Sequence, residues 1–239
     1  MEYEVELPDT PEERNKLADV LWNIYDTMLL YSEMIIQSDN LVKSQFIEMF
    51  GNDRNDTLEN LSVSWNKGQS LKKDDINEGG QNECIHYGEL FTKYGPAITK
   101  IMSHTNINPK IISRYGDILF PASDVTPEGL TKCSTILLDN VILGGDIIVM
   151  RPLDIMNPIY LSYAIRMQKY QLLKLVTGSL VRHISAKSLK TVLVPVPNRK
   201  RQNDFVKFYK QIDKSKIEID HTIKSLQKLY KAIITENIK

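Results

Sequence analysis

The sequence predicts an α+β chain: one mixed, mainly antiparallel globular domain flanked by two long coiled-coil helices. Three observations carry this. Near the N-terminus, Leu17, Leu21, Ile24, Met28, Tyr31 and Ile35, then Ser38, Val42, Gln45 and Met49, recur at alternating steps of four and three. Phe205, Tyr209, Ile212, Lys216, Ile219, Ile223, Leu226, Tyr230 and Ile233 keep the same rhythm near the C-terminus. A seven-residue repeat of this kind marks helices that pack along a coiled-coil seam, or that offer the seam to another chain. Between them, short β-rich runs alternate with glycine-containing turns, the pattern of a small mixed domain.

The elements follow in order. Residues 1–10 read as a leading strand or linker, with Leu7-Pro8 closing an extended segment. Thr10-Pro11-Glu12-Glu13 is a helix start: Thr as N-cap, Pro at the first helical position and Glu three residues after the cap. The first long helix is assigned to 11–52, running to about Phe50 before Gly51-Asn52-Asp53 ends it. The globular domain is assigned to 53–197. Its strand-like runs are Cys84–Tyr87, Ile118–Phe120, Ile136–Leu138, Val141–Leu143 and Ile147–Met150. Asn157-Pro158 opens a helix from Ile159 to about Leu175, then come a polar turn, a short helix around Ser185–Leu189 and the strand Val192–Val196. Pro197-Asn198 then starts the second long helix, 198–239, so apolar extended residues, proline, cap and long helix occur twice.

Composition bounds the function. With 42% hydrophobic and 25% charged residues the chain lies in the range of folded proteins. No apolar run approaches the ~18 residues of a membrane span, and the acidic start is not that of a signal peptide, so a cytoplasmic location is expected. Cys84 and Cys133 stand alone, without CxxC spacing, and read as reduced, partly buried thiols. The formal net charge of zero hides an asymmetry: residues 1–60 hold 4 Lys/Arg against 14 Asp/Glu, residues 61–197 hold 15 against 11, and residues 198–239 hold 11 against 5. An acidic and a basic helix suit each other as partners, and the positive surplus on the rest attracts a polyanion.

Catalytic constellations are weak. Asn157-Pro158-Ile159-Tyr160 approaches the Asn-Pro-Pro-Tyr loop of amino-methyltransferases, but lacks the second proline and any upstream glycine-rich strand–turn–helix; a capped helix start explains it. Asp117, Asp124, Glu128 and Lys132 sit in a turn-rich stretch rather than alternating on one strand, and read as loop charges. His86, His104, His183 and His221 show no ligand spacing, and no phosphate-binding Gly-x-x-x-x-Gly-Lys loop is present. The expectation is a chain that is not an enzyme, binds no metal and holds no cofactor itself.

Three blocks, in order, carry a family resemblance over nearly the whole length. The first is Leu7-Pro8 and the heptad helix closing in Lys43-Ser44-Gln45-Phe46-Ile47-Glu48-Met49-Phe50-Gly51. The second is Lys67-Gly68, Leu71, Asp75-Ile76, then Ile85-His86-Tyr87-Gly88-Glu89-Leu90 and Gly116-Asp117-Ile118-Leu119-Phe120. The third is Thr177-Gly178-Ser179-Leu180-Val181-Arg182-His183-Ile184-Ser185, Leu189 and Val194-Pro195-Val196-Pro197. Together they resemble one half of the specificity subunit of Type I restriction–modification systems. The resemblance implies a target recognition domain that reads part of a split double-stranded DNA target, with helices that set the spacing. It implies docking of methyltransferase subunits, which hold S-adenosylmethionine, and then of restriction subunits. The chain departs from the full pattern in holding one such domain; Glu2–Pro8 looks like the last strand of a preceding one. It is either a half-subunit or the C-terminal half of a longer chain. If two copies pair through their helices as a homodimer, the target is a split palindrome.

A DNA-reading surface needs Lys and Arg for phosphates and polar side chains on loops or strands for base edges. The candidates are Lys67, Gln69, Ser70, Lys72 and Lys73; Gln81, Asn82 and Tyr87; Lys93 and Tyr94; and Thr177, Ser179, Arg182 and His183. Leu71, Ile76, Ile85, Ile118, Leu119, Ile147 and Val149 are assigned to the core. Arg199-Lys200-Arg201 at the second helix start reads equally as a contact with the DNA backbone or an acidic partner and as a mildly unfavourable solvated turn, since cations there oppose the helix dipole. The rival to the DNA reading is a coiled-coil assembly protein whose globular domain binds protein.

Overall fold

A computed structural model describes residues 8–237; the expected leading strand falls largely on residues outside these. Helix α1 spans Pro11–Phe50. Its start is fixed as a capping box: Glu13 N donates to Thr10 Oγ1 at 3.2 Å, and Thr10 N donates to Glu13 Oε2 at 3.3 Å. Helix α6 spans Arg199–Asn237 and begins with Arg201 N donating to Asn198 Oδ1 at 3.0 Å.

The chain divides into two compact units, one made of the helical segments up to Met49 and from Lys207 onward, the other of Phe50–Val206. In the helical unit the two helices lie antiparallel within one chain. Asp39 pairs with Lys216, and Ala18, Leu21, Trp22 and Tyr25 share a cavity with Tyr230. Tyr25 lies 14 residues before Asp39, and Tyr230 lies 14 after Lys216. The less exposed positions on α1 include Leu17, Leu21, Ile24, Met28, Tyr31, Ile35 and Val42; on α6 they include Tyr209, Ile212, Ile219, Ile223, Leu226, Tyr230 and Ile233. Elsewhere α1 remains apolar on open faces, with Trp22, Leu29, Leu30, Met34, Ile36, Leu41 and Ile47 exposed.

The second unit is built from strands β1 (Asn55–Thr57), β2 (Ser62–Lys67), β3 (Asn82–Ile85), β4 (Ala97–Ile98), β5 (Ser103–Thr105), β6 (Ile118–Pro121), β7 (Ser123–Asp124), β8 (Ser134–Ile136), β9 (Ile142–Leu143), β10 (Ile147–Pro152), β11 (Arg182–His183) and β12 (Leu193–Pro195). Its helices are α2 (Glu89–Thr92), α3 (Pro158–Met167), α4 (Lys169–Leu175) and α5 (Ala186–Leu189). A five-stranded sheet runs β2-β10-β6-β8-β4, and a three-stranded one β5-β3-β9; β1 pairs with β12, and β7 with β11. Pairings are antiparallel except β3 with β9 and β4 with β8.

Ile85, Leu119, Ile147 and Val149 pack into one buried cluster, with Leu71, Cys84 and Ile142 forming a smaller one. Burying each large aliphatic contributes about 1.5–3 kcal/mol. Between the sheets the backbone approaches itself closely: a Cβ at Gly68 would stand 1.8 Å from Gly144 O, so both positions exclude side chains. The helix expected from Ile159 to Leu175 is divided, because Gln168 leaves helical geometry (φ −87°, ψ 30°) between α3 and α4. Asn157 caps α3 by accepting from Ile159 N at 3.0 Å and Tyr160 N at 3.3 Å, with Pro158 at the first position. That is the structural role of the Asn-Pro-Ile-Tyr tetrapeptide.

An aromatic group consolidates the base of this unit: Phe50, Tyr160 and Phe205 meet edge to face, with centroids 5.0–6.2 Å apart. Arg201 donates from Nη1 to both Asp53 carboxylate oxygens at 2.7 and 2.9 Å and lies 5.3 Å over the Phe50 ring. Of the basic triplet at the α6 start, Arg201 is therefore part of the domain's own framework.

Candidate nucleic-acid interface

The folding of β2, β7, β10 and β11 gathers residues far apart in sequence. Lys67 ends β2 opposite Ile148. Its Nζ stands 3.5 Å from Asp146 Oδ1, both side chains remaining well exposed. Asp146 also accepts from Ser123 Oγ at 3.0 Å, and its carbonyl from Ala122 N at 2.8 Å. β7 then pairs Ser123 with His183 and Asp124 with Arg182. The result is a cavity of about 400 Å³ lined by Trp65, Asn66, Lys67, Ala122, Ile148, Ile184, Ser185 and Ala186. Trp65 forms part of its wall, stacked on Phe120 at 6.0 Å and held by an Nε1–H bond to Ser62 Oγ at 2.7 Å.

His86 extends this group, because Asp146, Lys73 and Lys93 all act on it electrostatically. Burial lowers its pKa below the usual histidine value, with Glu89 and Asp146 opposing that shift. At neutral pH it is uncharged rather than a phosphate-binding cation, and because its Nδ1 accepts from Gly88 N at 3.3 Å it offers the Nε2–H as a donor. The hairpin 177–183 is closed by Thr177 and His183 exchanging backbone hydrogen bonds at 2.9 and 2.8 Å, with Gly178 at φ +91°. Arg182 donates to Gly178 O, which holds the guanidinium across the turn. Ser179 and Leu180 project at its exposed tip.

Five expected readers are occupied with the domain's own structure. Gln69 is buried; its Nε2 donates to Asn108 O at 3.0 Å and its Oε1 accepts from Lys110 N and Ile111 N at 2.6 and 2.7 Å. It fastens segment 108–111 and offers no free edge. Asn82 donates to Ile107 O at 3.1 Å. Tyr87 and Tyr94 pack against the main core cluster, and the Tyr94 hydroxyl accepts from Met102 N at 3.2 Å; burial pushes its pKa up to about 12. Lys93 pairs with buried Glu89 at 2.7 Å. Lys67, Ser70, Lys72, Lys73, Gln81, Thr177, Ser179 and His183 are exposed, and Arg182 is half-buried.

Asn66 and His86 are candidates that sequence reasoning missed, while Ser123 is buried and its hydroxyl is committed to Asp146. Asn66 lies in Ser-Val-Ser-Trp-Asn-Lys, a strand of polar alternation in which the aromatic was the available signal. Asp124, read from the sequence as a loop charge, is instead buried at the end of β7, where its carboxylate accepts from Val125 N and Thr126 Oγ1 at 2.7 and 2.8 Å. Lys132 donates to Phe91 O at 3.1 Å. Among the described residues no group of three His, Cys, Asp or Glu could hold a metal ion.

The cavity thus brings one lysine, one amide and one hydroxyl, Lys67, Asn66 and Ser185, beside an aromatic wall, the side-chain types that contact phosphates and base edges. A family model described as Type I restriction modification DNA specificity domain matches residues 56–228, and the chain belongs to that family. Three solved structures share the fold. One is the HsdS subunit from Thermoanaerobacter tengcongensis, with TM-score 0.59, 21% identity and coverage of 94% of this chain and 56% of that one. Another is the S subunit of a Type I restriction-modification system from M. genitalium, with TM-score 0.61, 14% identity and coverage of 96% and 62%. A third comes from work on complex assembly and conformational transition of the type I R-M system, with TM-score 0.66, 20% identity and coverage of 95% and 60%. The chain therefore spans about three fifths of the length of these relatives. No curated protein matches it.

Proposed function

We propose that this chain is a non-catalytic, DNA-reading specificity subunit or half-subunit of a cytoplasmic Type I restriction–modification system. Its globular unit reads one part of a split duplex target, and its helices set spacing and dock methyltransferase subunits, restriction subunits joining afterwards. S-adenosylmethionine belongs to the methyltransferase partner. The observation that carries the reading is the shared cavity of β2 and the 184–186 segment, where Lys67, Asn66 and Ser185 meet around Trp65. Lys67, Lys72 and Lys73 supply cations for phosphates; Asn66, Ser70, His86 and the tip of the 177–183 hairpin supply groups for base edges.

The α1–α6 seam is engaged within one chain, so a homodimer would use the open apolar faces of α1, around Trp22, Leu29, Ile36 and Ile47. A helix apolar on several sides is one made to be covered. The seven-residue repeat supports a coiled-coil character for the hairpin.

Duplex binding tests the reading. Lys72→Ala with Lys73→Ala should weaken binding to every sequence and lower the slope of log K against log salt by about 0.9 for each phosphate that is no longer neutralised. Unchanged affinity and slope would remove both lysines from the interface. Salt-insensitive or absent binding by the wild type, with and without methyltransferase subunits, would favour a protein-binding assembly module instead.

A further inference from the structure

A second basic concavity lies at the other end of β2. A cavity of about 290 Å³ is lined by Val63, Arg114, Tyr115, Arg151, Asp154 and Arg199, among others. Arg151 gives Nε and Nη2 to Asp117 at 2.9 Å each, in a bidentate pair whose carboxylate is almost wholly buried. Its Nη1 remains available. Arg199 gives Nη1 to Asp154 O at 2.7 Å and keeps its other donors. Arg114 is exposed; its backbone N–H gives to Asp117 Oδ2 at 2.9 Å and its carbonyl accepts from Asp117 N at 3.0 Å, while its guanidinium makes no hydrogen bond within the described residues. Tyr115 stands beside it, 63% exposed.

Three arginines thus line one concave surface; Asp117 is committed to Arg151, and the Asp154 side chain, the carboxylate in the lining, offsets part of their charge and leaves a net positive site. Planar forks with spare N–H donors match the oxygens of a phosphodiester, which also relieves their mutual repulsion. β2 connects the two concavities: Val63 lines this one, Trp65 and Lys67 line the other, and alternate residues of a strand share a face. From Val63 to Lys67 is about 13 Å at roughly 3.3 Å per residue, a span one DNA strand covers in about four nucleotides at 3.4 Å each.

We propose that Arg114, Arg151 and Arg199, with Tyr115, form a second phosphate-binding site that grips the DNA backbone flanking the segment read beside Lys67. The site rests on the DNA-reading function above and extends its footprint. It positions the duplex and carries no sequence preference of its own.

The test uses the full chain and a random-sequence duplex, measured across a salt series. Arg114→Ala with Arg199→Ala should cut affinity about tenfold or more and lower the salt slope by about 1.8, while Arg114→Lys with Arg199→Lys should restore most of the slope. Lys67→Ala with Lys73→Ala serves as the independent control. If that control weakens binding but the arginine-to-alanine pair leaves affinity and slope unchanged, this site is overturned and the DNA reading stands. If the arginine pair instead abolishes retention by methyltransferase subunits with the slope intact, the arginines face an acidic protein surface and the proposal is equally overturned. If the wild type binds no duplex, alone or with those subunits, the function itself fails and the phosphate site with it.

Discussion

Gln69 shows how a residue chemically suited to read adenine can be consumed by its own fold. Its amide satisfies one carbonyl and two N–H groups of segment 108–111, a pairing some forty positions distant in sequence and invisible to local pattern. Gln69→Ala leaves those groups partly unsatisfied and should cost about 2–3 kcal/mol in denaturant unfolding; a loss below about 0.5 kcal/mol would return Gln69 to the candidate readers. His86 carries the opposite lesson: its motif was legible, but its meeting with Asp146 and Lys73 depends on tertiary structure. Because folding disfavours its protonated form, the unfolded chain binds more protons as pH drops below the ordinary value of 6.5. Stability should accordingly be full above that pH and decline as pH falls toward the lowered folded-state pKa. His86→Asn should flatten that limb of a thermal-unfolding series, and an unchanged limb would contradict the assignment.

At the scale of elements, the long helices were the most legible part of the sequence. The Thr10–Glu13 capping box and the seven-residue repeat need only local chemistry to be read, and α1 begins at Pro11. Short strands were less so: β1, β2, β4, β5, β7 and β11 are held by partners elsewhere in the chain, not by an alternating apolar pattern of their own. Whether the helices pair within or between chains was not legible at all, since a heptad stripe is silent about its partner. The structure pairs Asp39 with Lys216 inside one chain. Cys84 and Cys133 are buried, with thiol pKa values pushed up by burial to about 11 and 12, so they should stay inert in an oxidation experiment. In an Asp39→Cys, Lys216→Cys variant, mild oxidation should give a crosslinked monomer on non-reducing electrophoresis. Crosslinked dimer at low protein concentration would show that the hairpin opens and pairs between chains.

For the whole molecule, charge and architecture point the same way. The acidic surplus lies in residues 1–60 and the basic surplus in the remainder, and the globular unit holds the two cavities, one with Lys67 and one with Arg114, Arg151 and Arg199, on which the DNA reading is proposed. At 40 and 39 residues, α1 and α6 extend about 60 Å each, longer than the ~34 Å separating half-sites one DNA turn apart. The helices therefore have the reach of a spacer. The family was legible from three ordered blocks, whereas the concave surfaces were not, because each gathers side chains from several separate segments. The most direct measurement is a map of methylated adenines in DNA treated with the methyltransferase subunits, with and without this chain. A split motif that appears only when the chain is present, palindromic if two copies assemble, is the predicted result; the same methylation pattern with and without the chain would contradict its role as the reader.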